Sequence, residues 1–173
     1  MTDRAGTLLQ GRRERLERLL GRELGPPMTG PVGPLTSPNR AYLLDEAKDL
    51  YWNELEWEHI TDEEALEHGH LTELVFPGLL AFVRGLLLRE VMPDARAPAS
   101  PRPQVVEDLL EFLAARIVEL EEGLSEPGSD DSLARLRRER DATSHLLDLV
   151  LYLFHELSGE DVERVEAERH ASA

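Results

Sequence analysis

Apolar residues recur at three- and four-residue intervals along most of this chain, and no stretch alternates apolar with polar in the manner of a strand. A repeat near 3.6 gives helices with one apolar stripe, whereas a half-buried strand needs a repeat of two. The chain is therefore expected to be all-α. Its 173 residues suffice to bury a core, and the apolar stripes can do so only by meeting one another in a helical bundle.

Proline divides the pattern. Residues 25–38, GPPMTGPVGPLTSP, carry five prolines and three glycines, a composition that neither a helix nor a central strand accepts. The segment reads as a linker, and it separates an N-terminal arm, residues 1–24, from a bundle domain, residues 39–173. The arm has Leu8, Leu9, Leu16, Leu19, Leu20 and Leu24 on one stripe, and six arginines against four acidic residues. It carries a net charge of +2 and the rest of the chain −18, which together make −16. The body should repel nucleic acid and anionic membrane surfaces and attract basic partners or divalent cations.

Within the domain the spacing predicts helices over 40–60, from Thr61, from Thr72 or Pro77 to Met92, over 104–124, over 132–157 and over 160–169. Thr61-Asp62-Glu63-Glu64 has the pattern of a capping box, so a new helix is expected there. Pro77 suits a first helical turn. Four to five main helices plus the tethered arm make the expected fold, with the segment after Pro77 at its centre. Leu79, Leu80, Phe82, Val83, Leu86, Leu87, Leu88 and Val91 point in nearly every direction, as in a helix buried all round. The apolar run 74–88 falls short of the ~20 residues a membrane span needs. The first residues lack the uninterrupted apolar core of a secretory signal. A cytoplasmic location is expected.

Cysteine is absent, which excludes disulfides, thiolate metal sites and cysteine nucleophiles. Gly-rich phosphate loops, nucleophile elbows and HExxH zinc motifs are also missing. Three polar groupings remain. Arg84 lies within the apolar segment and would need a partner if buried. Glu54 and Glu58, which continue the apolar face of their helix, are the candidates. Glu56/His59 and Glu67/His70 have the Glu-x-x-His spacing that sends two ligands to one side of a helix. Glu56 and His59 fall on a polar face, however, and the second pair straddles Gly69. The patch around His59, Glu67, His68 and His70 reads as a solvated acidic helix end with the carboxylate and imidazole groups of a weak divalent-metal site. Asp141, His145, Asp148, Tyr152 and His155 recur at intervals of four and three, a narrow polar strip on an otherwise apolar helix. The strip is either a solvent face or the lining of a cleft suited to acid–base or metal chemistry.

Trp52 and Trp57 sit at the edges of their helix and could mark an interface or rim packing. The expectation is a non-enzymatic interaction or scaffold protein, self-associating, with a protein partner or a second copy of itself and no cofactor. The alternative is a bundle that binds a metal or small molecule, possibly a hydrolase, with Asp141, His145 and Asp148 facing Glu54 and Glu58 across a cavity.

Overall fold

The computed structural model describes residues 4–25, 37–68, 76–88 and 103–171; the side chains of 37, 56–68, 77, 88 and 169–171 are outside that description. Six helices account for the described chain: α1 (Arg4–Leu20), α2 (Ser37–His68), α3 (Pro77–Leu88), α4 (Pro103–Ser125), α5 (Asp130–Phe154) and α6 (Gly159–Ala171). No strand occurs among the described residues, and none of these helices is long and apolar enough to cross a membrane. The protein is an all-α helical bundle.

Its hub is α4. The stripe Val106, Leu109, Leu110, Leu113, Ile117 and Leu120 is fully buried, and α1, α2, α3 and α5 all pack against this helix. The closest partnership is the α4–α5 hairpin. Its antiparallel sense follows from contacts at both levels: Gly123 lies against Leu136, and Arg116 bonds Glu139. Ser129 starts α5 by accepting from the Ser132 amide at 3.1 Å, with Asp130 and Asp131 in the first turn where the helix dipole favours them. α1 lies antiparallel to α4, with Arg4 at Glu122 near the latter's C-terminal end. Leu9, Leu16 and Leu20 of α1 are buried in the common core.

α2 differs from the sequence expectation. It runs unbroken through Thr61 rather than restarting there. The Thr-Asp-Glu-Glu run caps a helix only if the backbone leaves helical geometry at Thr61, and no glycine or proline between 39 and 68 makes it do so. α2 is consequently longer than α5, at 32 residues against 25. Gly69, which the second Glu-x-x-His pair straddles, lies outside the described residues.

α3 packs against α2, α4 and α5 with Leu79, Leu80, Val83, Leu86 and Leu87 buried. Pro77 occupies its first position, as the spacing predicts. It is not enclosed all round. Arg84 is exposed and Phe82 only half-buried, so the inner side alone is covered. A guanidinium reaching water needs no buried counter-ion, which removes the reason for pairing Arg84 with Glu54 or Glu58.

Glu54 has another task. Its carboxylate accepts from the backbone N–H groups of Gly78, at 3.2 Å, and Leu79, at 2.6 Å. These are among the first amides of α3, which have no partner inside their own helix. A carboxylate there satisfies them and meets the positive end of the helix dipole. Beside this joint Phe76 takes a left-handed backbone, φ 44°, an unfavourable state for a bulky side chain. Its ring is fully buried and stacked on Tyr51 at 5.6 Å. Tyr51 in turn meets Phe112 edge-on, and its hydroxyl lies 2.7 Å from Thr143 Oγ1. Burial pushes the Tyr51 phenol above its usual range.

The joint makes a test with a change of sign. A Cβ at Gly78 would lie 2.9 Å from Glu54 Oε1, so Gly78→Ala must push the carboxylate away and should cost about 1 kcal/mol. Glu54→Ala should cost about 1–2 kcal/mol by orphaning the same amides. In the Glu54→Ala background, Gly78→Ala should become neutral or stabilising by up to about 0.5–1 kcal/mol, because alanine is the better helix former. Urea denaturation of the four proteins measures this cycle; additive losses would refute the capping role.

Candidate functional site

Apart from the exposed Asp141, the polar strip on α5 is covered by neighbouring helices rather than facing open solvent. Beyond Asp141 it is met by side chains reaching over from α1 and α6, while α1 itself packs chiefly on α4 and α6. Asp141, at the outer end, is exposed and bonded to Arg140. One turn on, His145 Nε2 donates to Glu166 of α6 at 2.8 Å. Asp148 is buried and receives Arg12 of α1 at 3.1 Å, while the same guanidinium reaches Ser144 Oγ at 2.6 Å. Tyr152 is buried. His155, at the C-terminal end of α5, closes the row against the far end of α1.

Burial raises the Asp148 carboxyl above the usual range, and the attraction of Arg12 only partly offsets that. The pair is accordingly a poor source of net stability, and its directional bonds fix where α1 sits along α5. A third tie joins Arg22 to Asp161 at the start of α6. There Ser158 and Asp161 bond each other's backbone amides as a capping box. The arginine holds the half-buried Asp161 carboxyl below its ordinary range.

His155 has the most defined chemistry in the strip. Its Nδ1 lies 2.8 Å from the Gly25 carbonyl, which can only accept, so Nδ1 carries the proton. Nε2 is then a lone-pair acceptor in the neutral ring, and Arg13 Nε–H donates to it at 3.2 Å. Burial, more than the nearby guanidinium, lowers the His155 pKa, and the bond to Gly25 opposes the shift. The local backbone holds the ring in place. Glu156 adopts φ 54°, and Leu157 N–H returns to the Tyr152 carbonyl at 2.9 Å, a Schellman ending in which glutamate stands where glycine is usual. α5 therefore stops at Phe154, short of the Ser158-Gly159 end that glycine alone suggests.

The strip is thus divided among separate partners, and it is not brought to Glu54, which is engaged at the head of α3. The side chains of Glu58, His59, Glu67 and His68, and all of His70, lie outside the described residues. Among the described residues no group of three or more histidine, aspartate or glutamate side chains is placed to hold a metal ion.

A second surface, of which the sequence reading singled out Trp52 but not Tyr42, lies on the outside of α2. Tyr42, Asp45, Asp49 and Trp52 fall at i, i+3, i+7 and i+10, one row of a helix surface, opposite the buried Ala47, Tyr51 and Leu55. Tyr42 and Trp52 are the large apolar side chains most open to water among the described residues, 63% and 44% exposed. Trp52 is nevertheless held in place. The Arg116 guanidinium sits 4.8 Å from its ring, and Phe112 and Tyr51 meet it edge-on. Arg116 is itself fixed by Glu139 and Glu119. Asp45, Glu46 and Asp49 lie exposed between the two aromatics. The cations of α2 are used elsewhere, Arg40 on Asp108 and Lys48 over Phe112. The spacing of Tyr42 and Trp52 in the sequence carried this signal. The side chain of Trp57 lies outside the described residues.

No known protein family, curated protein or solved structure matches the chain.

The His155 tie gives a pH dependence with a definite sign. Because the native pKa is lowered, the unfolded chain takes up the proton first as pH falls through about 6.5. Stability should therefore decline from there until the native ring is also protonated. In His155→Gln, which keeps a donor and an acceptor but cannot titrate, part of that decline should vanish. Denaturation midpoints between pH 7.5 and 5 provide the measurement, and identical slopes in the two proteins would show that the ring does not titrate as its bonds require.

Proposed function

We propose that the protein is a non-enzymatic helical interaction protein, an acidic body with its basic N-terminal helix folded onto it, whose outer α2 face receives a protein partner. The observation that carries this reading is Trp52, exposed yet held by Arg116, Phe112 and Tyr51, with the exposed Tyr42 on the same row. An aromatic side chain fixed before binding gives contact area at little cost in rotamer freedom, which is how the anchoring residues of interfaces behave. Among the described residues, most of the polar groups considered for catalysis or metal binding are engaged instead in joining helices: Asp148 with Arg12, His145 with Glu166, His155 with Arg13 and Gly25, Glu54 with α3. A second copy of the chain is one partner this reading admits.

The test compares two baits, the full-length protein and its Tyr42→Ala/Trp52→Ala variant, in extract of the source cells with quantitative mass spectrometry. The variant should fold with stability within about 1–2 kcal/mol of the parent, since neither side chain is buried in the core. A set of proteins retained by the parent and lost by the variant is expected. Recovery of the same set by both baits would sink the assignment of this face.

A further inference from the structure

Resting on the reading that the outer face of α2 is a docking surface, we propose that its occupant is a basic amphipathic helix with arginine or lysine side chains between two apolar anchors. The dimensions come from the row itself. Tyr42 and Trp52 are ten residues apart on one helix, about 15 Å along its axis. Between them stand three exposed carboxylates, and among the described residues none has an ion-pair partner. A helix packed alongside α2 would set an apolar side chain on each aromatic and its cations over Asp45, Glu46 and Asp49.

Other occupants fit less well. A second copy placing its own α2 face-to-face on this one would bring the three carboxylates against their counterparts, a like-charge juxtaposition that suppresses pairing. Nucleic acid phosphates and anionic lipid headgroups meet the same repulsion. An extended peptide would leave much of its backbone unpaired, because a helix surface offers no open ladder of N–H and C=O groups as a sheet edge does. A helical partner brings its backbone already satisfied.

The molecule contains an instance of the same recognition. α1 lies on the body with Leu9, Leu16 and Leu20 turned inward, while Arg4, Arg12 and Arg22 meet Glu122, Asp148 and Asp161. Apolar anchors in line, with arginines reaching carboxylates on either side, is the arrangement inferred for the outer face of α2. There the anchors would be the receiver's aromatics and the cations the partner's.

Three synthetic helical peptides test this by calorimetry against the full-length protein. The first has two leucines ten residues apart with three arginines between them. The second replaces those arginines by glutamate. The third keeps the arginines but scrambles the leucines, which controls for attraction to an acidic protein at large. The first should bind, with affinity falling about tenfold or more as salt is raised well above physiological strength. Trp52→Ala should weaken it about tenfold or more, as loss of an anchor residue does. The variant Asp45→Arg/Glu46→Arg/Asp49→Arg should reverse the preference toward the second peptide. The proposal is overturned if the first peptide does not bind, binds no better than the scrambled one, or binds Trp52→Ala equally. If the bait comparison still shows partners that depend on Tyr42 and Trp52, only the basic-helix chemistry fails. If that comparison also shows no difference, the docking face itself is wrong.

Discussion

Burial of α4 is the constraint on which the rest of the fold depends. Leu109, Leu110, Leu113 and Ile117 have no exposed surface, and four helices are needed to cover the sides from which they would otherwise meet water. At roughly 1.5–3 kcal/mol for each large apolar side chain removed from water, this stripe outweighs any polar contact in the molecule. A covering helix needs only one apolar stripe; α1 has little more than that, whereas α3 and α5, which also pack on each other, have wider apolar surfaces. The outer sides of α1, α2 and α3 are left free to carry charge.

The same comparison decides what holds α1. Its arginine pairs stand out in the structure, yet Arg4–Glu122 is exposed on both sides, and pairs of that kind contribute about 0–1 kcal/mol. Arg12–Asp148 is better shielded, but taking the carboxylate out of water costs more than the attraction returns. Leu9, Leu16 and Leu20 supply the adhesion. The charged and imidazole contacts set which residue of α1 meets which residue of α5. A leucine stripe alone would tolerate sliding by a turn; Arg12 on Asp148 and Arg13 on His155 would both be broken by it.

Helix positions were legible in the sequence because the 3.6 repeat is strong and proline marks its breaks. Pro77 at the head of α3 and the buried stripe of α4 follow directly from those signals. Failures came where one local signal had two readings. Thr61-Asp62-Glu63-Glu64 is a cap only if the chain turns there, and helical propensity on both sides prevailed. Arg84 in an apolar run implies a buried charge only if the helix is covered all round, and α3 is covered on one side. The strip from Asp141 to His155 showed a polar line on α5 without showing what lies on it. Its partners Arg12, Arg13, Gly25 and Glu166 are more than twenty residues away in either direction, and no local pattern links them. Sequence order left open whether a basic arm tethered by a proline-rich segment docks back on the acidic body or onto a partner, because nothing local names its receiver.

The outer face of α2 was legible only in part, for a related reason. Helical periodicity marks Trp52 as an edge residue suited to an interface or to rim packing, but leaves Tyr42, on the polar side, without a signal of its own. Aromatics in water are nevertheless costly to solubility, and a chain with so many carboxylates could easily have placed acids there as well. The two lie on one row and flank three acids that have no ion-pair partner among the described residues, and Trp52 is gripped by a guanidinium already fixed by Glu139. A core needs Trp52 buried, and the solvent needs it replaced. Trp52 instead sits at a rim, packed on Arg116, Phe112 and Tyr51 with nearly half its surface open, and that open half is what the proposed docking would cover.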